Sequence, residues 1–280
     1  MSEHPLSGQA AIVTGGGSGI GLACAAHLVR DGATVTIVGR SEERLRDAVA
    51  QLETQAAGGA TVHSLACDVS DEAAVEAAVA RAAEPLGSLH IAVASAGTGT
   101  LGPIIATSLD EWNRVIGINL TGTFLTLKHA GAAMAADGAG GAIVTISSIA
   151  GVITHPYMGP YCASKAGIDM LVRVAADELG RMGIRVNTVQ PGLTKTDLGD
   201  LLIDDPAVLA DYMAQSPIAA VSSADDVAEA VRYLCGPESR AVTGAAITVD
   251  GGHHLRRGPD VEHWARGMYG DAAIDGGRPA

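Results

Sequence analysis

The stretch that decides the fold runs from Ala10 to Gly21: Ala-Ala-Ile-Val-Thr-Gly-Gly-Gly-Ser-Gly-Ile-Gly. Ala10–Thr14 reads as a buried strand, and helix periodicity begins at Ile20 and continues to Arg30. Glycines at 15, 19 and 21 allow a tight turn, close approach of a phosphate and close helix–sheet packing. The helix N-terminus offers free N–H groups and a partial positive charge to a pyrophosphate. An ordinary βα turn would use the same residues, but the position between first strand and first helix favours phosphate binding. Gly15, Gly17, Ser18, Gly19, Ile20 and Gly21 are therefore the candidate phosphate-side positions. Their G-x3-G-x-G spacing departs from the G-x-G-x-x-G of other dinucleotide folds.

Working outward, Thr34–Val38, Val62–Ala66, His90–Ser95, Ala142–Ser147, Arg185–Gln190 and Ala246–Val249 read as six further strands. Helical patterns at Glu42–Gln55, Glu72–Glu84 and Glu111–Met134 separate several of them. Continuous apolar strands alternating with helices predict an α/β fold: a doubly wound, seven-stranded parallel sheet in three α/β/α layers. No linker divides the chain, so residues 1–254 are expected to form one domain. Residues 255–280 form a Gly-, Arg- and Asp-rich tail, either disordered or draped over the body.

Composition limits what such a domain does. Charged residues are 18% and hydrophobic residues 48%, which favours a packed globule; aromatics are only 3%, so Ala, Val, Ile and Leu must fill the core. A net charge of −13 argues against nucleic acid or an anionic membrane as partner. Cys24, Cys67, Cys162 and Cys235 have neither disulfide nor metal spacing. His253, His254 and His263 lack acidic partners at ligand spacing, so no metal is expected. Met1–Gly8 is polar, and no run approaches the ~18 apolar residues of a span. These features predict a cytoplasmic protein.

The end of the second strand should lie over the adenosine ribose, where an NAD site usually places an acid. Here Gly39 is followed by Arg40. Glycine does not repel a 2′-phosphate and a guanidinium pairs with one, so NADP is favoured over NAD, although a solvated surface arginine would read the same way. Ser41 adds a hydroxyl as the expected cap of the next helix. After the third strand come Asp68 and Val69. Asp68 reads either as an adenine contact or as the cap of the helix starting near Asp71.

The chemistry points to Ser148, Tyr161 and Lys165. Tyr161 and Lys165 are one helical turn apart and share a face. A free phenol has a pKa near 10, and lowering it to about 7 needs roughly 4 kcal/mol. An ammonium about 4 Å away supplies that at an effective dielectric near 20. Tyr161 is then a working acid or base at neutral pH.

Together, Thr14–Gly21, Asn119, Ser148, Tyr161-x3-Lys165 and Pro191-Gly192 resemble the short-chain dehydrogenase/reductase family, over roughly Leu6–Gly252. The resemblance implies a Rossmann-like fold and hydride transfer between a nicotinamide cofactor and a carbonyl or alcohol carbon. It gives Tyr161 the acid/base role, Ser148 the orienting of the substrate oxygen, and Lys165 a hold on the nicotinamide ribose. By the same likeness Asn119 positions a water behind Lys165. Pro191, Gly192, Thr194 and Thr196 bind the carboxamide end, while Ala96 and Gly97 pass close to the cofactor. One departure is Ala94-Ser95-Ala96-Gly97, where the family has Asn-Asn-Ala-Gly. Ser95 is expected to replace part of the lost bracing.

Substrate contacts are expected from Asp197–Ile218, as a mobile lid, and from Ile149–Pro160, with His155, Tyr157 and Met158 facing the pocket. The apolar character of both predicts a moderately hydrophobic carbonyl or alcohol. The helices Glu111–Met134 and Ala163–Met182 resemble those that pair subunits in family oligomers, which predicts a homotetramer or dimer. Trp264, Met268 and Tyr269 of the tail are expected to pack on a neighbouring subunit. Two other classes fit the same residues: an epimerase or lyase using transient oxidation, and a non-catalytic nicotinamide-binding scaffold.

Overall fold

The computed structural model describes residues 4–276. Seven strands form one parallel sheet: β1 (Ala10–Thr14), β2 (Thr34–Gly39), β3 (Val62–Ala66), β4 (Ile91–Ala94), β5 (Gly141–Ile146), β6 (Ile184–Pro191) and β7 (Ala246–Val249). Their order is β3-β2-β1-β4-β5-β6-β7, so the winding reverses between β1 and β4. Loops leaving these two strands diverge, and the crevice between them is where such a sheet binds ligands.

Side chains alternate across the sheet. Ala11, Val13, Val35, Ile37, Ile91 and Val93 face a layer formed by α1 (Gly19–Arg30), α2 (Glu42–Glu53) and α9, which spans Ala224–Cys235. Ile12, Val38, Ala92, Ile143 and Val186 face α3 (Glu72–Ala83), α5 (Gly122–Asp137) and α6 (Gly159–Leu179). At the centre of the sheet both faces are buried, which is why β1 and β4 read as largely apolar runs, while the edge strand β3 alternates buried and more exposed residues.

The predicted helix Glu111–Met134 is two helices. α4 (Leu109–Ile116) joins α5 through a π-helical turn at Gly117–Thr121. The wider turn displaces Asn119 from the regular ladder, and its carbonyl accepts a hydrogen bond from Thr123 Oγ1 at 2.7 Å. Beyond β6 lie α7 (Asp197–Ile203) and α8 (Pro206–Gln215), which cover one end of the sheet. After β7 the chain forms α10 (Glu262–Tyr269) and α11 (Asp271–Asp275). Trp264 donates to Asp205, and Tyr269 Oη donates to the Leu101 carbonyl at 2.9 Å, so both aromatics are tied to the body of their own chain.

Two glycines of the turn admit no other residue. A Cβ on Gly21 would stand 2.3 Å from the Gly15 carbonyl oxygen. Gly15 has φ +68°, and its Cβ would meet Ala96 Cα at 2.9 Å. Gly21→Ala is expected to cost about 1–3 kcal/mol of stability by overpacking. It should also remove dinucleotide binding; a thermal melt and a cofactor titration check both.

Candidate active site

The crevice is a cleft of ≈ 880 Å³ at the C-terminal ends of β1, β4, β5 and β6. Gly15, Ser18, Gly19, Ile20 and Gly21 line one side, and Ser148, Tyr161 and Lys165 line the other. Ala96, Gly97, Pro191, Gly192, Thr194 and Thr196 complete the wall between them. Gly17 is turned away and lies against Arg44 and Leu45 of α2. Val69, expected on the adenine side, is buried, and a Cβ on Gly122 would meet its side chain at 2.7 Å.

Local hydrogen bonds set this geometry. Thr14 Oγ1 accepts from the N–H groups of Ser95 and Ala96 at 3.1 and 3.2 Å, joining the two diverging loops. This bracing, expected of the Ser95 side chain, comes from Thr14 and the loop's own backbone. Thr196 caps α7: its Oγ1 accepts from Gly199 N–H at 3.1 Å and donates to the Thr194 carbonyl at 3.3 Å. Its methyl group would stand 3.2 Å from a Cβ on Gly19, so the segment after β6 closes over the glycine turn.

Asn119, fully buried, donates to the Thr98 carbonyl at 3.0 Å and to Ser164 Oγ at 3.1 Å. Its Oδ1 accepts from Thr98 N–H at 2.8 Å, and Ser164 donates to the Tyr161 carbonyl at 2.7 Å. One amide thereby couples the Gly97–Thr98 loop to the first turn of the helix carrying Tyr161.

Ser148 follows β5 by two residues and caps the short turn Ile149–Gly151, accepting from Ala150 N–H at 3.1 Å. Tyr161 lies in the first turn of α6, just after Pro160, which suits a helix start. Lys165 follows one turn later and is buried. Its Nζ donates to the Ile146 carbonyl at 2.9 Å and stands 5.5 Å from the Tyr161 ring centre.

The Ile146 carbonyl thus fixes the ammonium beside the Tyr161 ring. Burial pushes the Tyr161 phenol above its ordinary value, and the neighbouring Ser148 hydroxyl works in the other direction. Burial also lowers Lys165 to about 8, with Asp169 pulling back upward. The sequence reading overlooked Asp169, which is buried one turn beyond Lys165. It accepts from Gln190 Nε2 at 2.8 Å, and burial raises its carboxyl. The spacing Lys165-x3-Asp169 was the available signal.

Arg40 and Ser41 stand outside the cleft lining, exposed at the rim after β2. Ser41 caps α2 as expected, accepting from Arg44 N–H at 3.3 Å. Asp68 accepts from Ser70 N–H and Oγ at 3.0 and 2.7 Å, while Asp71 itself caps α3. The capping alternative for Asp68 is thereby removed. The Ser70 contacts hold Asp68 below the usual carboxylate range, helped by the charge of Arg40. Arg44, one helical turn beyond Arg40, does line the cleft, and its Nη1 is 3.1 Å from Asp197 Oδ2. Sequence reading missed it because no periodic signal separates a rim arginine from a solvated one.

On the substrate side His155 and Met158 line the cleft, whereas Tyr157 does not. Tyr157 has φ +66°, and its carbonyl instead accepts from Gly102 N–H at 2.7 Å. The glycine turn and the small residues Ala96 and Gly97 suit a dinucleotide along the cleft that Ser148, Tyr161 and Lys165 also line.

Comparison with known proteins gives a consistent set. A family profile described as "Enoyl-(Acyl carrier protein) reductase" matches residues 15–254. The chain is 39% identical to 2-(S)-hydroxypropyl-CoM dehydrogenase 3 of Xanthobacter autotrophicus, covering 89% of this chain and 98% of that one. It is 36% identical to D-threitol dehydrogenase of Mycolicibacterium smegmatis, covering 91% and 96% respectively. A solved short-chain type dehydrogenase/reductase from Mycobacterium ulcerans superposes with a TM-score of 0.93 at 39% identity, covering 97% of this chain and 98% of that one.

Proposed function

The chain belongs to the short-chain dehydrogenase/reductase family, and from that premise we propose which residues carry its chemistry and what it takes. It is a nicotinamide-dependent oxidoreductase that transfers a hydride between its cofactor and a CH–OH or C=O carbon. In our reading Tyr161 Oη gives a proton to the substrate oxygen in reduction and takes it in oxidation. The observation that carries this is the convergence of Ser148, Tyr161 and Lys165 on one cleft wall opposite the glycine turn.

Ser148 Oγ orients and polarises the substrate oxygen. Lys165 places a positive charge behind the phenol and holds the ribose side of the cofactor. Asn119 is a positioning residue: it fixes Thr98 and, through Ser164, the turn that aims Tyr161, and it stands beside Lys165 where a relay water would sit. When bound, the nicotinamide ring supplies or accepts the hydride. Gly15, Ser18, Gly19, Ile20 and Gly21 hold the pyrophosphate, and Pro191, Gly192, Thr194 and Thr196 hold the carboxamide end. Ala96 and Gly97 lie alongside the cofactor.

NADP is the preferred form in this reading. Arg40 rather than an acid directly follows β2, and with Ser41 and Arg44 it would meet a 2′-phosphate there. Asp68, held in place by Ser70, faces the adenine side. Charge-assisted bonds of this kind are worth ~1.5–3 kcal/mol, or roughly 10- to 100-fold in affinity. Titration should show NADPH binding at least ~10-fold tighter than NADH, with Arg40→Ala cancelling most of the difference. Equal affinities in the unaltered protein would reverse the assignment. A panel of alcohols and ketones should change the nicotinamide absorbance; a silent panel would refute turnover.

The substrate we propose is a moderately hydrophobic alcohol or ketone, supported by Leu198, Leu201 and Leu202 along the cleft. Exposed Phe124 on α5, with Met170 and Val174 on α6, supports a homo-oligomer assembled through those helices. The four cysteines stand free, which suits a reducing, cytoplasmic setting.

A further inference from the structure

The segment after β7 returns to the mouth of the cleft and is tied to it on two sides. Arg257 forms an ion pair with Asp211 of α8, and Asp260 N–H donates to the same carboxylate at 2.9 Å. Asp205, at the start of α8, accepts from the Ala207 and Val208 N–H groups at 2.9 and 3.1 Å. The same carboxylate accepts from the Trp264 indole, with His263 Nε2 at 3.1 Å, and these partners draw it down to about 2. Opposite, Tyr269 Oη holds the Leu101 carbonyl. The Mycobacterium ulcerans structure covers 97% of this chain, so this segment is part of the match.

Between these ties Pro259, Val261, Trp264 and Met268 line the cleft, together with Leu198 and Leu201 of α7. Charge is nearly absent at this end. The two cations lining the cleft are committed elsewhere: Arg44 to Asp197 beside the glycine turn, and Lys165 to the Ile146 carbonyl. His155 is pushed below its ordinary value by burial and is uncharged at neutral pH. A carboxylate or phosphate on the substrate would lose its hydration here with no cation in exchange, which costs heavily.

We propose that the C-terminal segment is the specificity wall of the site, with Trp264 and Met268 selecting an uncharged alicyclic or aromatic alcohol or ketone. The inference rests on reading the cleft as a dehydrogenase site. A flat indole fixed through its N–H offers a large apolar face at little entropic cost, which suits a ring-sized hydrocarbon. A short aliphatic alcohol would not reach it.

The test compares cyclohexanol and 2-propanol as substrates of the full chain and of Trp264→Ala and Met268→Ala. For cyclohexanol, Trp264→Ala should lower kcat/KM by about 10- to 100-fold, mainly through KM. The 2-propanol value should stay within about 3-fold, because that substrate gains no contact with the wall. Met268→Ala should shift the same ratio less, and being half exposed it keeps the test open if Trp264→Ala fails to fold. The unaltered protein should also prefer cyclohexanol over 4-hydroxycyclohexanecarboxylate. Equal losses on the two alcohols, or preference for the carboxylate, would overturn the proposal.

A second readout needs no turnover. In Trp112→Phe, Trp264 is the sole indole, and cyclohexanone should quench its fluorescence while acetone does not. Quenching without any turnover would sink the dehydrogenase reading and support the wall. Turnover without quenching would do the reverse.

Discussion

Tyr161→Phe lowers the rate of alcohol oxidation by about 10²–10⁴-fold, the usual contribution of a positioned proton donor or acceptor. Cofactor affinity changes little, because the phenyl ring keeps its place in the first turn of α6 and only the hydroxyl is lost. The substitution creates no cavity, so the melting temperature also holds. Steady-state kinetics with a cofactor titration measures both sides of the expectation. A variant retaining a tenth or more of the activity would transfer the proton step to another group. Ser148 would be the first candidate, since its hydroxyl lines the same cleft.

Lys165→Ala produces the second large effect, and its pH dependence is the informative part. An ammonium ~5 Å from a phenolate acts on it with about 3 kcal/mol at an effective dielectric near 20. That corresponds to roughly two pKa units, or about 100-fold less phenolate at neutral pH without it. The lysine's own charge is lost as pH rises through about 8, because burial disfavours the ammonium. In the unaltered protein kcat/KM for oxidation rises with pH through a limb that belongs to the coupled pair. Lys165→Ala should move that limb upward, toward or beyond the ordinary phenol value near 10. A limb that stays in place, with only its height reduced, would restrict Lys165 to holding the cofactor.

Most of the fold was legible because the central strands β1 and β4 are short, largely apolar runs and the helices between strands open on polar caps. Ala10–Thr14, Val62–Ala66 and Ala246–Val249 have the predicted bounds. β4 is shorter than His90–Ser95, since His90 takes a side-chain bond from Ala10 N–H and Ser95 leaves the ladder toward Thr14. The π-helical turn at Asn119 was invisible: one extra residue in a helix does not disturb the apolar period enough to be seen. What displaces it is a tertiary demand, the bonds of that amide to Thr98 and Ser164.

The candidate site was legible where chemistry fixes residue type at short spacing, as in Tyr161-x3-Lys165 and the glycine turn. It was illegible where the partner is distant in sequence. Arg44 meets Asp197, and Trp264 meets Asp205, through contacts that no local pattern encodes. The tail carried no strong period because ion pairs and single aromatic anchors, rather than a continuous apolar face, attach it. For the same reason its aromatics gave no hint that they serve their own chain's cleft.

Tyr161 serves as a proton acceptor in the working range, although burial alone pushes its phenol upward. Lys165 and a bound positive ring must together reverse that push. Near-ultraviolet titration of phenolate absorbance, with and without oxidised cofactor, follows this among the five tyrosines. One tyrosine should ionise below the ordinary range only with cofactor bound, and that step should vanish in Tyr161→Phe. If cofactor moves no tyrosine downward, or if the low step persists in Tyr161→Phe, the proposed proton transfer is wrong.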